Sequence, residues 1–237
     1  MKEVLCERPS VETGVGMLRQ ENKFTLLDCF CGIGGVSNGF ALEGFDVTGI
    51  DIVDAPKMLG YKHRFIQADM LSLKGEDFKG YDVIWGSPPC RDFSRIGEMY
   101  GHNWKCPPNP MRGLELVNIF LDFVKEANPR YWVLENVYGL SHHLPLKPKF
   151  ATYITISSKN GQGKHHAFWG NFPDFLLPKV TQKKIGFHKI QPNGDRWMRA
   201  QVTGKNAAWI NAKIPLPCSQ AFAKACREAL LEKETCP

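Results

Sequence analysis

Apolar residues along this chain arrive in short blocks separated by polar turns, not in long stripes. Phe24–Phe30 reads as a buried strand, and Phe45–Asp51, Arg64–Asp69, Tyr81–Gly86 and Arg130–Val137 read as four more strands. A helical stretch follows Gly32-Ile-Gly-Gly35 and runs to about Leu42. A second spans about Pro110 to Ala127, where Leu114, Val117, Phe120, Leu121 and Val124 recur at helical spacing. Strands alternating with helices in this way predict βαβ units and an α/β fold with a mainly parallel sheet. The texture changes after Leu140. Phe150–Ile156 and Ala167–Gly170 are predicted strands joined by a polar turn around Gly161 and Gly163. Residues 173–206 are loop-like with scattered aromatics, and Pro217–Glu232 is a predicted helix carrying Ala221, Phe222, Ala225, Leu230 and Leu231. Met1–Lys23 is polar and weakly patterned, and reads as an arm.

In a parallel sheet, ligands lie beyond the carboxyl ends of the strands. The strand ends are therefore the candidate site: Asp28, Phe30 and Gly32; Asp51; Asp69; Ser87–Cys90; Glu135 and Asn136.

Composition narrows the class without naming it. The chain has 237 residues, 43% hydrophobic and 23% charged, which excludes a disordered, collagenous or coiled-coil protein. No run approaches the ~18 apolar residues of a membrane span. Met1–Gln20 has no apolar core, so the expectation is a cytoplasmic protein with no membrane partner and reduced thiols. The net charge of +6 is unevenly placed. Residues 1–140 carry 15 Lys/Arg against 19 Asp/Glu, whereas residues 141–237 carry 15 against 5. A basic half suggests a polyanion partner, although a solvated basic face fits the charge equally well.

Individual motifs sharpen this. Phe30-Cys-Gly-Ile-Gly-Gly35 follows a strand and opens a helix, where glycines let backbone approach a ligand and the helix start favours negative charge. Asp51, at the next strand end, is placed to accept hydrogen bonds from ribose hydroxyls. The pattern fits either a dinucleotide or S-adenosylmethionine (SAM), but the third glycine of G-x-G-x-x-G would fall at Ser37. Asp69 is an acceptor for an adenine amino group or a helix cap. In Ser87-Pro-Pro-Cys90 two prolines end the strand and present Cys90 at the sheet edge. There it serves as a nucleophile if Arg91, Arg95 or Lys105 favours its thiolate, and is otherwise an inert thiol. Glu135 ends the fifth strand at the same edge, and burial would keep it protonated and able to donate to a ring nitrogen. No C-x-x-C pair occurs, and no metal is expected.

In this order the motifs resemble the DNA (cytosine-5)-methyltransferase family. Asp28-Cys-Phe-Cys-Gly-Ile-Gly-Gly35 is similar to its SAM-binding motif, Ser87-Pro-Pro-Cys90 to its Pro-Cys nucleophile motif, and Glu135-Asn136-Val137 to its Glu-Asn-Val motif. The similarity runs from Phe24 to Val137 and returns faintly over Asn211–Leu230. It implies a Rossmann-like SAM-dependent methyltransferase fold. Residues 24–172 would form the catalytic domain, residues 173–206 a small basic region facing nucleic acid, and residues 207–237 a segment completing the domain. The cofactor would be SAM, held by Asp28, Phe30, Gly32, Gly34, Asp51, Ile52, Asp69 and Pro89. Cys90 would attack cytosine C6 and Glu135 would donate to N3. Arg91, Ser94 and Asn136 would contact substrate, with the loop from Arg91 to about Asn109 closing over a flipped base.

Two departures from the family stand out. The Gln-x-Arg-x-Arg motif, one Arg of which reaches the base, is replaced by Gly163-Lys-His-His-Ala-Phe-Trp169, leaving Lys164, His165 or His166 to make that contact. The target-recognition insert is reduced to residues 173–206, which suit phosphate better than base edges. Sequence specificity is then short, relaxed or supplied by a partner protein. The expected substrate is DNA. Transfer RNA, a non-catalytic regulator of the same fold and a nicotinamide-dependent oxidoreductase are the rival readings.

Overall fold

The computed structural model describes residues 24–94, 108–155, 163–175 and 213–235. The arm Met1–Lys23, most of the expected closing loop, including Arg95 and Lys105, and residues 176–206 of the basic region lie outside them. So do the side chain of Lys164 and Cys6, Cys106 and Cys236.

Seven strands form one sheet. They are β1 (Phe24–Cys29), β2 (Phe45–Asp51), β3 (Arg64–Gln67), β4 (Val83–Gly86), β5 (Tyr131–Val137), β6 (Phe150–Thr155) and β7 (Gly163–Asn171), in spatial order β3-β2-β1-β4-β5-β7-β6. β1 to β5 pair in parallel, and β7 runs antiparallel between β5 and β6. This is the expected Rossmann-like α/β architecture. The chain lays β2 and β3 on one side of β1, then returns to place β4 on the other. The strand order therefore reverses beside β1, and a crevice opens there at the carboxyl edge.

Three strand limits differ from the sequence reading by two residues or more, for local reasons. β3 stops at Gln67 because Asp69 turns to cap a short 3-10 helix, its Oδ1 accepting from the Leu71 amide at 3.1 Å. β4 starts at Val83 because the Asp82 carboxylate accepts from both the amide and hydroxyl of Thr25, at 2.9 and 3.0 Å, tying β1 to the approach of β4. β7 begins four residues before the expected strand because its polar first residues, Gly163–His165, pair with β6 alone, and β5 joins from His166 onward. That backbone pairing outweighs the missing apolar signal.

Helices cover both faces. α1 (Gly35–Leu42) and α4 (Leu216–Thr235) lie on one side, α3 (Pro110–Ala127) on the other, and α2 (Ala55–Leu59) bridges β2 and β3. α3 begins where Asn109 accepts from the Met111 and Arg112 amides with Pro110 at the first turn. It ends where Asn128 adopts a left-handed φ of 49°. Its apolar face, Val117, Phe120, Phe123 and Val124, packs on Leu27, Ile84 and Leu134. On the opposite face the fully buried Trp85 ring meets Phe40, Phe168 and Phe222 edge-on, at centroid distances of 6.3, 6.1 and 4.9 Å. α4 thereby locks onto the sheet, and the Ser219 hydroxyl donates to the Gly35 carbonyl at 3.0 Å to tie α4 to the start of α1. Among the described residues no helix is long and apolar enough to cross a membrane.

Asp28 sits inside this packing. It is 2% exposed, and Oδ2 accepts from the Ser37 amide at 3.1 Å and the Ser37 hydroxyl at 2.5 Å; that hydroxyl lies 2.8 Å from the Tyr61 hydroxyl. The expected contact between Asp28 and cofactor is thus replaced by an internal one, in which the carboxyl holds α1 against β1. Ser37, the residue that broke the dinucleotide glycine pattern, is its partner. Burial is the largest influence on this carboxyl. It outweighs the Ser37 hydrogen bonds and raises the pKa to about 7, with a smaller contribution from Asp51.

Two outcomes follow. A Cβ on Gly39 would stand 2.6 Å from the Gln220 backbone nitrogen, so Gly39→Ala should separate α1 from α4. It should cost about 1–3 kcal/mol despite the better helix propensity of alanine, as read by urea denaturation. Asp28 keeps its proton to about pH 7 when folded but releases it near 3.8 when unfolded, so raising the pH across that window lowers stability. Asp28→Asn retains an acceptor for Ser37 and removes the titration. Its unfolding free energy should fall less steeply than that of the parent between about pH 4 and about pH 7.

Candidate active site

The loop after β1 turns on three left-handed residues in five: Phe30 (φ 62°), Gly32 (φ 50°) and Gly34 (φ 77°). Glycine relieves the strain at two of them, and Phe30 bears it. This coiling aims the Gly32 amide at Asp51, which accepts through Oδ2 at 2.9 Å, while Asp51 Oδ1 accepts from the Val53 amide at 3.2 Å. Burial pushes the Asp51 carboxyl up, and the backbone bonds from Gly32, Val53 and Ile52 oppose that shift. Asp51 thus joins the end of β2 to the glycine loop. Ile52, next in the chain, is 62% exposed, an apolar side chain left uncovered at the rim. α1 follows Gly34, which gives it no side-chain cap, and the Ser37 amide in its first turn is already held by Asp28, leaving the earlier amides of that turn for an anion. A Cβ on Gly34 would meet the Tyr61 ring at 3.1 Å, which makes the loop a close-fitting cradle. Asp69 lies at the same edge, half-buried, with one oxygen engaged by its own turn.

Across the crevice, β4 ends in Ser87-Pro-Pro-Cys90. The Trp85 indole donates to the Ser87 hydroxyl at 2.8 Å, and the Ser87 amide donates to the Cys29 carbonyl at 3.3 Å, fixing the start of this segment. Cys90 has φ −91° and ψ 0°, in the sparsely populated bridge region, and opens a short 3-10 helix, Arg91–Phe93. It is half-buried. The other described cysteines, Cys29, Cys31, Cys218 and Cys226, are buried, and burial pushes each of their thiols up, to about 12 for Cys218 and Cys226. Those four are inert packing residues, and Cys90 is the thiol at the open edge. Pro89 and Arg91 are exposed and Ser94 half-buried beside it.

β5 lies next to β4 in register, Gly86 opposite Leu134, so Glu135 and Asn136 end at the same edge. Asn136 is fully buried. Its side-chain amide donates to the Pro88 carbonyl at 3.0 Å, and its Oδ1 accepts from the Val137 amide at 2.9 Å. With one hydrogen bond from each end of its amide group to backbone, Asn136 clasps the Pro-Pro-Cys segment. Glu135 is 4% exposed, and its Oε1 lies 2.5 Å from Nδ1 of His166 on β7. His166 is fully buried, which removes it from direct contact with substrate. His165 is half-buried and stacks on Tyr138, with ring centroids 4.4 Å apart and planes 11° apart. Burial, and then His166, hold the His165 pKa down. Lys164 lies on β7 opposite Ile154.

The fold therefore brings Phe30, Gly32, Gly34, Asp51, Ile52, Asp69, Pro89, Cys90, Arg91, Ser94 and Glu135 to one edge, while Asp28, Asn136 and His166 support it from inside. Sequence reasoning passed over Ser37, Tyr61 and Tyr138. Ser37 carried a signal, as a polar residue where a glycine pattern failed, whereas Tyr61 and Tyr138 carried none. Among the described residues no group of three or more His, Cys, Asp or Glu side chains is placed to hold a metal ion.

Similarity to known proteins points the same way. The family model for C-5 cytosine-specific DNA methylase matches residues 24–154. The type II methyltransferase M.XorII of Xanthomonas oryzae pv. oryzae is 29% identical over 128 residues, covering 48% of this chain and 28% of that protein. M1.ScrFI of Lactococcus lactis subsp. cremoris is 29% identical over 179 residues, covering 72% of this chain and 43% of that protein. This chain thus spans well under half the length of these relatives. A solved E. coli structure, a putative DNA modification methyltransferase encoded within a prophage, is similar at a TM-score of 0.44 and 22% identity, over 63% of this chain and 47% of that one. The glycine loop, the Pro-Pro-Cys end of β4 and the Glu-Asn end of β5 all fall within the matched residues, and the chain belongs to the C-5 cytosine-specific DNA methylase family.

Proposed function

We propose that this chain is a SAM-dependent methyltransferase that methylates C5 of cytosine in DNA through a covalent adduct with Cys90. The observation that carries the reading is the pairing at the sheet edge. A half-buried cysteine in a bridge-region turn is clasped through Asn136 to the strand that bears a buried carboxyl, Glu135.

The residues across the crevice fit the cofactor. The left-handed loop and the uncapped start of α1 suit its carboxylate, Asp51 at the β2 end suits a ribose, and exposed Ile52 offers an apolar surface to an adenine face with Asp69 beside it. When bound there, SAM supplies an electrophilic methyl group.

The chain's own residues do the rest. C5 of cytosine is a weak nucleophile. The Cys90 thiolate forms a bond to C6, the C5–C6 π electrons move onto C5, and the charge that would build on the ring is met by a proton passing from Glu135 to N3. After C5 is alkylated it gives its proton to a solvent water, the C5–C6 double bond reforms as the S–C6 bond breaks, and N3 returns its proton to Glu135. Cys90 leaves as it entered. C6 is closed off in a stacked duplex, so the cytosine must be extruded. Arg91, exposed beside Cys90, and Ser94 are placed at the edge where the strand's phosphates would run. Choice of target rests with residues 173–206 or with a partner protein.

Trapping on an oligonucleotide bearing 5-fluorocytosine tests this, because fluorine at C5 blocks the final elimination. A SAM-dependent covalent complex with duplex DNA is expected, and Cys90→Ser should abolish it without abolishing SAM binding. A complex with structured RNA but none with DNA would overturn the substrate, and no complex on either would overturn the reaction.

A further inference from the structure

The turn that bears Cys90 is held from both of its flanks. Upstream, the Asn136 side chain donates to the Pro88 carbonyl. Downstream, the Phe93 amide donates to the Cys90 carbonyl at 3.1 Å and closes the 3-10 helix Arg91–Phe93. Inside that helix, two positions from the thiol, lies Asp92, whose side chain is 11% exposed. Its partners are at the start of α3. Asp92 Oδ1 accepts from the Asn109 backbone amide at 3.0 Å and from Arg112 Nη2 at 2.6 Å, while Oδ2 accepts from Arg112 Nε at 3.1 Å. Asn109 therefore serves two structures, capping α3 with its side chain and holding the nucleophile's turn with its backbone.

An ion pair on a protein surface ordinarily contributes little. This one differs in being a two-pronged guanidinium–carboxylate contact, with a third donor from backbone and an acid largely withdrawn from water. Burial pushes the Asp92 carboxyl up, but the hydrogen bonds from Arg112 and Asn109, together with the charges of Arg112 and Arg91, outweigh it and hold the carboxyl below its ordinary value. Arg112 stands in the first turn of α3, where the helix dipole disfavours a cation, and Asp92 supplies the compensating charge. Packing reinforces the junction. A Cβ on Gly113 of α3 would stand 2.6 Å from the Phe93 ring, and one on Gly139 would overlap the Phe93 carbonyl oxygen, so the turn is wedged between two elements. Beside the wedge a cleft of about 260 Å³, lined by Pro89, Arg91, Asp92, Arg112, Gly113 and Leu116, lies between the turn and α3. The polar bonds thus span a place that close packing leaves open.

We propose that Asp92 and Arg112 are positioning residues for Cys90. Their forked contact, with the Asn109 amide, fixes the rotation of the nucleophile's turn on the start of α3 and so sets the direction from which the thiolate meets cytosine C6. The inference rests on the reading of Cys90 as the nucleophile of a cytosine methyltransferase. Pro88 and Pro89 fix φ before the cysteine but leave the segment after it free to pivot. A displacement of about 1 Å at a reacting atom can cost about a hundredfold in rate, so a second restraint on the far side of Cys90 matters to the chemistry.

The test compares the parent protein with Asp92→Asn and Arg112→Gln, singly and together. SAM binding establishes folding, and DNA affinity is measured separately from the single-turnover methylation rate at saturating DNA. Each single variant should slow that rate by about ten- to a hundredfold, with the affinities for SAM and DNA unchanged. The double variant should be no slower than the worse single, because both residues act through one contact. Arg112→Lys keeps the charge but not the fork, and should resemble Arg112→Gln, not the parent. Parent-like rates in the single variants would overturn the inference, and so would losses that multiply in the double variant or an Arg112→Lys that restores the rate. A loss confined to DNA affinity would also overturn it, marking Arg112 as a phosphate contact. Hydrogen exchange on the parent protein gives an answer even where the variants do not fold. The Asn109 amide should be protected like the amides inside α3, and exchange at the unprotected rate overturns the proposal. Failure of the parent protein to trap 5-fluorocytosine would remove the methyltransferase reading and this inference together, whereas the outcomes above, in a parent that traps it, remove the inference alone.

Discussion

Coverage of the sheet on both faces is the constraint from which the rest of this molecule follows. β1 is buried along nearly its whole length, with α1 and α4 over one face and α3 over the other, so polar chemistry has no outlet except the strand ends. The reversal of strand order beside β1 then selects which ends matter. It opens a crevice between the glycine loop after β1 and the Pro-Pro-Cys segment after β4, while β5 contributes its end from one strand further along. Asp28 tests the rule, being a carboxyl inside β1. It is tolerated because the Ser37 amide and hydroxyl meet it and because burial keeps it largely protonated.

The same constraint explains what was legible in the sequence. Strands hidden on both faces must be apolar throughout, so β1, β2 and β5 stood out as blocks. α3 stood out because one of its faces meets the sheet and the other meets water, and Asn109, Pro110 and Asn128 mark its limits. β7 was half legible. Its Ala167–Gly170 segment lies in the core, whereas Gly163–His166 is strand only because two neighbours claim its backbone, and no local pattern reports that. At the site, residues fixed by local geometry were readable, since glycines at positive φ and prolines ending a strand announce themselves. Residues defined by distant partners were not. Asn136 and His166 acquire their roles from Pro88 and Glu135, 48 and 31 residues away in the chain.

Three buried or half-buried carboxyls near the crevice show how partners divide one residue type into several functions. Asp51 accepts two backbone amides and serves as a brace between β2 and the glycine loop. Asp69 gives one oxygen to its own turn and keeps the other toward the rim. Glu135 meets a side chain instead of backbone, and that side chain is itself titratable.

The Glu-Asn pair at the end of β5 draws these threads together, because neighbouring residues on a strand face opposite sides of the sheet. Glu135 lies opposite Phe168, on the side covered by α1 and α4, and there it finds His166 and the field of Cys218. Asn136 lies opposite Ala167, on the side covered by α3, and there it finds the Pro88 carbonyl. In the proposed reaction one residue would serve as the acid while the next secures the loop that bears the nucleophile, two consecutive positions acting from opposite faces. A slip of one residue in the β5–β7 register would turn His166 to the α3 face, away from Glu135. The pairing of β7 against β5 is therefore part of the site. An antiparallel strand beside the last parallel one is the element that lets a histidine from late in the chain reach a glutamate ending the fifth strand.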